Sequence, residues 1–208
     1  MKFKRMAALA ALFLALFPAP LLAGDFYISA KGGWAGLYLL EGDSIKVESK
    51  PGIHLSGAFG EIKGAWRVEV ELAAQRNEVE SVNRSQIDEQ ATGDIIILSA
   101  MGNVFYDFKV FESLPKWTPY VGVGAGLASV IVKDLKYSSR PQFILEKKKK
   151  SGNGLAWQLS LGFSYEMSDR ISWDAGYRFL YINGASSEEL GDLLTSSHSV
   201  TVGLRYLF

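Results

Sequence analysis

Nine ionisable side chains stand at alternate positions inside otherwise apolar stretches: Lys31, Arg67, Glu69, Glu71, Asp107, Glu166, Asp174, Arg178 and Arg205. A spacing of two, as in Arg67, Glu69 and Glu71, puts such groups on one face of an extended chain. An isolated ion removed from bulk water costs several kcal/mol, so acids and bases sharing a buried face must pair. The expected product is a plug of salt bridges. The same residues would form a narrow gated path if the network rearranged.

Other residue groups suggest chemistry and then fail on geometry. His198 lies between Ser197 and Ser199, the neighbourhood a lipid hydrolase would need. Adjacent residues of a strand point to opposite faces, so His198 cannot readily bond either serine directly, and no catalytic residue is assigned. His54 has no companion. Gly122, Gly124 and Gly126 in VGVGAGL superficially resemble a phosphate-cradling loop, but Leu127 to Val132 continues as strand rather than opening a helix. Their spacing puts all three on one face, where absent side chains leave interior room for larger neighbours. No cofactor is expected. With Cys 0 and His 2, a thiolate or histidine-rich metal centre is not expected either. The run Lys147, Lys148, Lys149 and Lys150 is a solvated loop segment or a contact for polyanions such as lipopolysaccharide phosphates or acidic polysaccharide.

The elements that must position these groups are strands. At the C-terminal end, Val200, Val202, Leu204, Tyr206 and Phe208 alternate with Thr201, Gly203 and Arg205, giving one apolar and one polar face. Seven further stretches are expected: about 26–39, 52–60, 66–75, 95–108, 117–132, 155–165 and 170–182. The connections between the eight run long, short, long, short, long, short, long: 40–51, 61–65, 76–90, 109–116, 133–152, 166–169 and 183–197. That order predicts an all-β, eight-stranded antiparallel up-and-down transmembrane barrel with three short turns at one end and four long loops at the other. Trp66, Val68, Val70 and Leu72, like Leu155, Trp157, Leu159, Leu161 and Phe163, are expected to face lipid, because a narrow interior cannot hold so many rings. Aromatic residues should form two girdles. Phe26, Phe59, Trp66, Phe108, Trp117, Tyr165, Trp173, Tyr206 and Phe208 would make the lower one, and Tyr38, Trp157, Phe179 and Tyr181 the upper.

Lys2, Lys4 and Arg5 precede an apolar run, Met6 to Phe17, then Pro18, Pro20 and Ala23, the order of a secretory signal peptide. Residues 1–23 are therefore expected to be removed and 24–208 to form the barrel domain. The run is shorter than the ~20 residues of a membrane helix. The formal net charge is +0, so nothing points to nucleic acid.

The pieces FYISAKGGW (Phe26 to Trp34), GNVFYDF (Gly102 to Phe108), WTPYVGVGAGLA (Trp117 to Ala128), LSLGFSYEMSDRISWDAGYRF (Leu159 to Phe179) and HSVTVGLRYLF (His198 to Phe208) together resemble the eight-stranded outer-membrane barrels of the OmpA/Opa-like clan. They are most similar to small bacterial surface antigens of the rickettsial and alphaproteobacterial type. The resemblance implies a Gram-negative outer-membrane protein with periplasmic termini and extracellular loops, surrounded by lipid and lipopolysaccharide. It also implies insertion by the outer-membrane assembly machinery, which would read a terminal strand such as the one carrying Tyr206 and Phe208. The expected function is non-enzymatic: a monomeric structural or adhesin-like surface protein meeting a host or neighbouring cell. The alternatives are a narrow porin-like channel and a membrane-embedded lipid-modifying enzyme.

Overall fold

The computed structural model describes residues 25–41, 45–84, 87–108, 116–137, 150–186 and 193–208. Nine strands follow in order: β1 (Asp25–Glu41), β2 (Ile45–Ser49), β3 (Gly52–Lys63), β4 (Trp66–Arg84), β5 (Ile87–Asp107), β6 (Trp117–Tyr137), β7 (Lys150–Glu166), β8 (Ile171–Ser186) and β9 (Leu193–Leu207). Each pairs antiparallel with its neighbour, and β9 returns to pair with β1. The sheet is closed. Strand β2 pairs with β1 and β4, the same neighbours that β3 has lower down. It therefore continues β3, and the barrel has eight staves. The break falls at Lys50 and Pro51, where proline offers no ladder donor. Asn77 bridges the gap: its Nδ2 donates to the carbonyls of Ala35 (2.8 Å) and Lys50 (3.0 Å). A β-carbon on Gly52 would collide with that amide.

Closure fixes the stagger. The path of paired residues from Tyr27 runs through Gly60, Glu69, Asn103, Gly124, Gln158, Leu180 and Ser197 to Leu37. Leu37 stands ten residues beyond the start on the same strand. Such a shear tilts every strand, so residues sharing a hydrogen-bond row do not share a height.

Sequence periodicity places the staves correctly and ends several too early. The expected polar loop 76–90 is mostly strand, since β4 runs to Arg84 and β5 starts at Ile87. Much of the loop 40–51 is likewise strand, as β1 reaches Glu41 and β2 begins at Ile45. Alternation weakens once both faces of a strand meet water, but ladder hydrogen bonds do not need it. At the opposite end, Gly64 turns between β3 and β4 with φ 64°, a region costly for other residues. Ser168 Oγ accepts the amides of Arg170 (3.4 Å) and Ile171 (3.2 Å) in the turn from β7 to β8. Residues 1–23 lie outside the described residues, so the signal peptide remains an expectation.

Candidate functional site

The lumen has three levels, set by strand register. Nearest the end that carries Asp25 and Phe208 is a charged floor. Arg67 Nε donates to Asp107 Oδ1 (2.9 Å), with Nη2 2.8 Å from the same oxygen. Its guanidinium lies 4.8 Å from the ring centres of both Phe105 and Tyr120, a cation held between aromatic faces. Arg205 Nη2 meets Asp174 Oδ1 (3.2 Å) and Ser164 Oγ (3.1 Å), and Ser164 in turn donates to Asp174 (2.6 Å). Tyr27, wholly buried, donates its hydroxyl to Glu69 Oε2 (2.8 Å).

A layer of amides couples this floor to the next level. Asn103 Nδ2 donates to Glu69 (3.2 Å), and Gln158 Nε2 donates to Asn103 Oδ1 (2.6 Å) and to Glu71 (3.4 Å). Arg178 Nε donates to Gln158 Oε1 (2.6 Å), while its Nη2 stands 3.8 Å from Glu71 and 3.4 Å from Ser99 Oγ. Lys31 Nζ lies 5.5 Å over the Phe105 ring and has no carboxylate within ion-pair distance among the described residues. Lys31, Arg67, Arg178 and Arg205 are offset by Glu69, Glu71, Asp107 and Asp174, four against four. A cavity of about 20 Å³ lies at this level between Lys31, His54, Glu71, Tyr120 and Arg178, room for about one water molecule.

Above these lies a level with no charge in it. Leu37, Val79, Ile95, Ile97, Val130, Leu180 and Ile182 pack together with Met101, Ala128 and Ala156, all buried. Each large aliphatic there is withdrawn from water that would otherwise fill the lumen, worth roughly 1.5 to 3 kcal/mol.

Eight of the nine expected lumen charges thus share the interior; Glu166 does not. It shares the inward parity of Ser164 but stands at the last residue of β7, beside the turn, and is exposed. Parity gives a direction, and at a barrel rim that direction leads to water. Trp66, Trp157 and Phe163 are exposed, whereas three rings that alternation assigned to neither face, Tyr27, Phe105 and Tyr120, are buried inside. Glycines make their room. A β-carbon on Gly60 would lie 2.6 Å from the Tyr27 ring, one on Gly122 would overlap Phe105, and one on Gly162 would lie 2.6 Å from the Tyr120 hydroxyl. The inward glycines of β3, β6 and β7 were the available signal for these rings. Gly124 likewise leaves the room that Asn103 and Gln158 fill. Lys147, Lys148 and Lys149 lie outside the described residues; Lys150 opens β7 opposite Val132.

The outer wall is apolar. Trp34, Leu55, Leu72, Val123, Leu155, Leu161, Val200 and Leu204 are all exposed, a surface that only hydrocarbon would stabilise. Near the end that carries Asp25, Phe26 stacks on Phe59, Trp66 meets Tyr106 edge-on and Trp117 packs at a tilt against Tyr165, and Tyr206 packs edge-on against Phe208. Trp157 packs against Phe179 and Tyr181 toward the other end. His198 projects outward while Ser197 and Ser199 are buried inside, so neither serine shares its face. No helix among the described residues is long and apolar enough to cross a membrane, and crossing falls to the strands.

A family profile described as outer membrane protein beta-barrel domain matches residues 8–208. The chain belongs to that family. It is an outer-membrane β-barrel protein. Uncharacterised proteins of Brucella abortus and Brucella suis are 32% identical over 94 residues, 44% of this chain and 32% of theirs. The chain thus spans about a third of the length of those relatives. Outer membrane protein PagN of Salmonella typhimurium is 28% identical over 121 residues, 52% of this chain and 48% of that protein. Among solved structures, Neisserial surface protein A aligns over 88% of this chain and 97% of its own, with 20% identity and a TM-score of 0.58. OprG of Pseudomonas aeruginosa aligns over 89% and 96%, with 20% identity and a TM-score of 0.55. At that identity the two share the barrel fold.

Proposed function

We propose that this protein is a closed, non-enzymatic surface barrel that acts through the strand ends and loops at the end opposite Asp25 and Phe208. The observation that supports the reading is the filled lumen: balanced, hydrogen-bonded charges lie beneath an uncharged level in which buried aliphatics pack beside the hydrogen-bonded Gln75, Asn77 and Ser197, a constriction that a hydrated ion would have to dewet to cross. With the interior filled, the surface available to partners is outside. Both termini of the barrel would be periplasmic, and the segments 42–44, 85–86, 138–149 and 187–192 would face the medium. The chain would act as a monomer, inserted by the outer-membrane assembly machinery through the strand that ends with Tyr206 and Phe208. A structural or adhesin-like contact with a host or neighbouring cell fits a barrel whose lumen does no work. The lysines 147–150 would supply attraction to polyanions.

Planar-bilayer recording tests the closed lumen. Purified barrel should give no reproducible current steps, and steps abolished by Arg178→Ala would establish the porin-like alternative instead. Protease cleavage within 138–149 on intact cells tests the orientation. Binding to lipopolysaccharide that weakens steeply with salt, and is lost when the four lysines are replaced, would support the polyanion contact. Salt-independent binding would not.

A further inference from the structure

Where the lipid-facing wall meets its upper aromatic girdle, it carries a hydrogen-bonded polar pair. On the outward positions of the spanning strands, such as Ile28, Leu55, Val70, Val104, Val121, Leu159 and Val202, the side chains are hydrocarbon. Tyr177 on β8 and His198 on β9 interrupt this, with the Tyr177 hydroxyl hydrogen-bonded to His198 Nδ1. The imidazole is walled by rings: the centroids of Phe179, Tyr38 and Tyr177 lie 5.0, 5.7 and 5.9 Å away. Its Nε2 has no protein partner among the described residues, and it is not enclosed by protein.

That arrangement dictates what the second nitrogen requires. When the tyrosine hydroxyl donates to Nδ1, the imidazole proton sits on Nε2, which becomes a donor without an acceptor. In hydrocarbon an unmet donor costs several kcal/mol. The acceptor must therefore come from outside the protein. Depth says which. Along β9, His198 stands eight residues from Tyr206 of the lower girdle. A strand rise of about 3.3 Å and a tilt near 40° put it roughly 20 Å above that girdle. The apolar band of such barrels is about 25 Å tall, so His198 lies just inside its far boundary, at the level where lipid esters and phosphates begin.

We infer that Tyr177 and His198 form a binding site for one outer-leaflet lipid, whose ester carbonyl or adjacent phosphate oxygen accepts the His198 Nε2 proton. Tyr177 is a positioning residue: it fixes the tautomer and the ring plane. The acyl chain lies down the wall below, over Val200 and Val202, both exposed.

The test uses purified barrel reconstituted in vesicles of equal parts ester-linked and ether-linked phosphatidylcholine of matched chain length. Lipid retained after mild-detergent extraction is counted by native mass spectrometry. His198→Phe should lose at least threefold of the retained lipid, and His198→Gln, which restores an N–H donor, should recover part of it. Preference for the ester lipid identifies the carbonyl as acceptor, and equal retention of both identifies the phosphate. Tyr177→Phe, which leaves His198 in place, should also reduce retention and serves if His198→Phe fails to fold. Wild-type retention in His198→Phe and Tyr177→Phe, with the heat-modifiable gel migration of a folded barrel, would overturn the site.

Discussion

The charged floor and the aliphatic layer of the lumen occupy the same strands and solve the same problem, a hollow centre, by opposite means. In the floor, Arg67 with Asp107 and Arg205 with Asp174 fill space with ions that stabilise only as matched sets, because each partner alone would be a buried charge. In the layer above, Leu37, Ile95, Ile97, Leu180 and Ile182 fill it with groups that need no partner, only shape. The first arrangement is specific and brittle. The second is forgiving of chemistry and intolerant of lost volume. On the closed reading proposed above, the upper level would carry most of the seal, since its aliphatics exclude water on the side where they pack.

Experiments can break this comparison at either level. The largest effect is expected from opening the seal: Ile97→Ala, Leu180→Ala and Ile182→Ala combined should turn a silent barrel into one with current steps in planar bilayers. Each substitution should also cost about 2 to 5 kcal/mol in urea unfolding. If the triple variant stays silent, the ion network alone closes the lumen. Next comes Arg67→Met, which strands Asp107 and should cost about 3 to 5 kcal/mol, with Arg67→Met/Asp107→Leu recovering most of it. No recovery in the double variant would mean that the stacking of Arg67 between Phe105 and Tyr120 matters more than its charge. Tyr27→Phe removes one bond to a carboxylate and should cost about 1.5 to 3 kcal/mol by the same measurement. Gly124→Ala forces a methyl against the Asn103 amide and should cost about 1 to 3 kcal/mol. Smallest is Arg76→Ala: Arg76 pairs with Asp94 on the exposed surface, and its loss should leave the unfolding midpoint unchanged, with any effect vanishing in high salt.

The two levels also differ in how far they could be read in the sequence. The floor was legible because charge at alternate positions is conspicuous among apolar neighbours. Arg67, Glu69 and Glu71 in β4 announce their face by themselves. The aliphatic layer was not, because Ile95, Ile97, Val130 and Ile182 sit in segments where both faces are apolar, and a period of two cannot be seen when every residue qualifies. The rule that charge goes inside and hydrocarbon outside holds for the floor and fails a few residues higher. Glu166 went astray for a related reason: its parity is inward, but the barrel has ended before its side chain begins. Tyr27, Phe105 and Tyr120 were assigned to neither face, although the glycines opposite them mark the space they occupy.

Local sequence determined which segments become staves and which face of most of them meets lipid, because alternation is a property of consecutive residues and follows from the pleat alone. It also kept His198 apart from Ser197 and Ser199, which no tertiary arrangement of a strand can reunite. Height in the barrel is different. It depends on the ten-residue stagger accumulated over all eight staves, and no single strand contains that quantity. Register between neighbouring strands brought Arg178 to Gln158 and the Tyr177 hydroxyl to His198 on the outer wall. Only closure decided that Arg178 would reach Ser99 across the lumen and that Leu37 would rise above the charges while Tyr27 on the same strand sat among them.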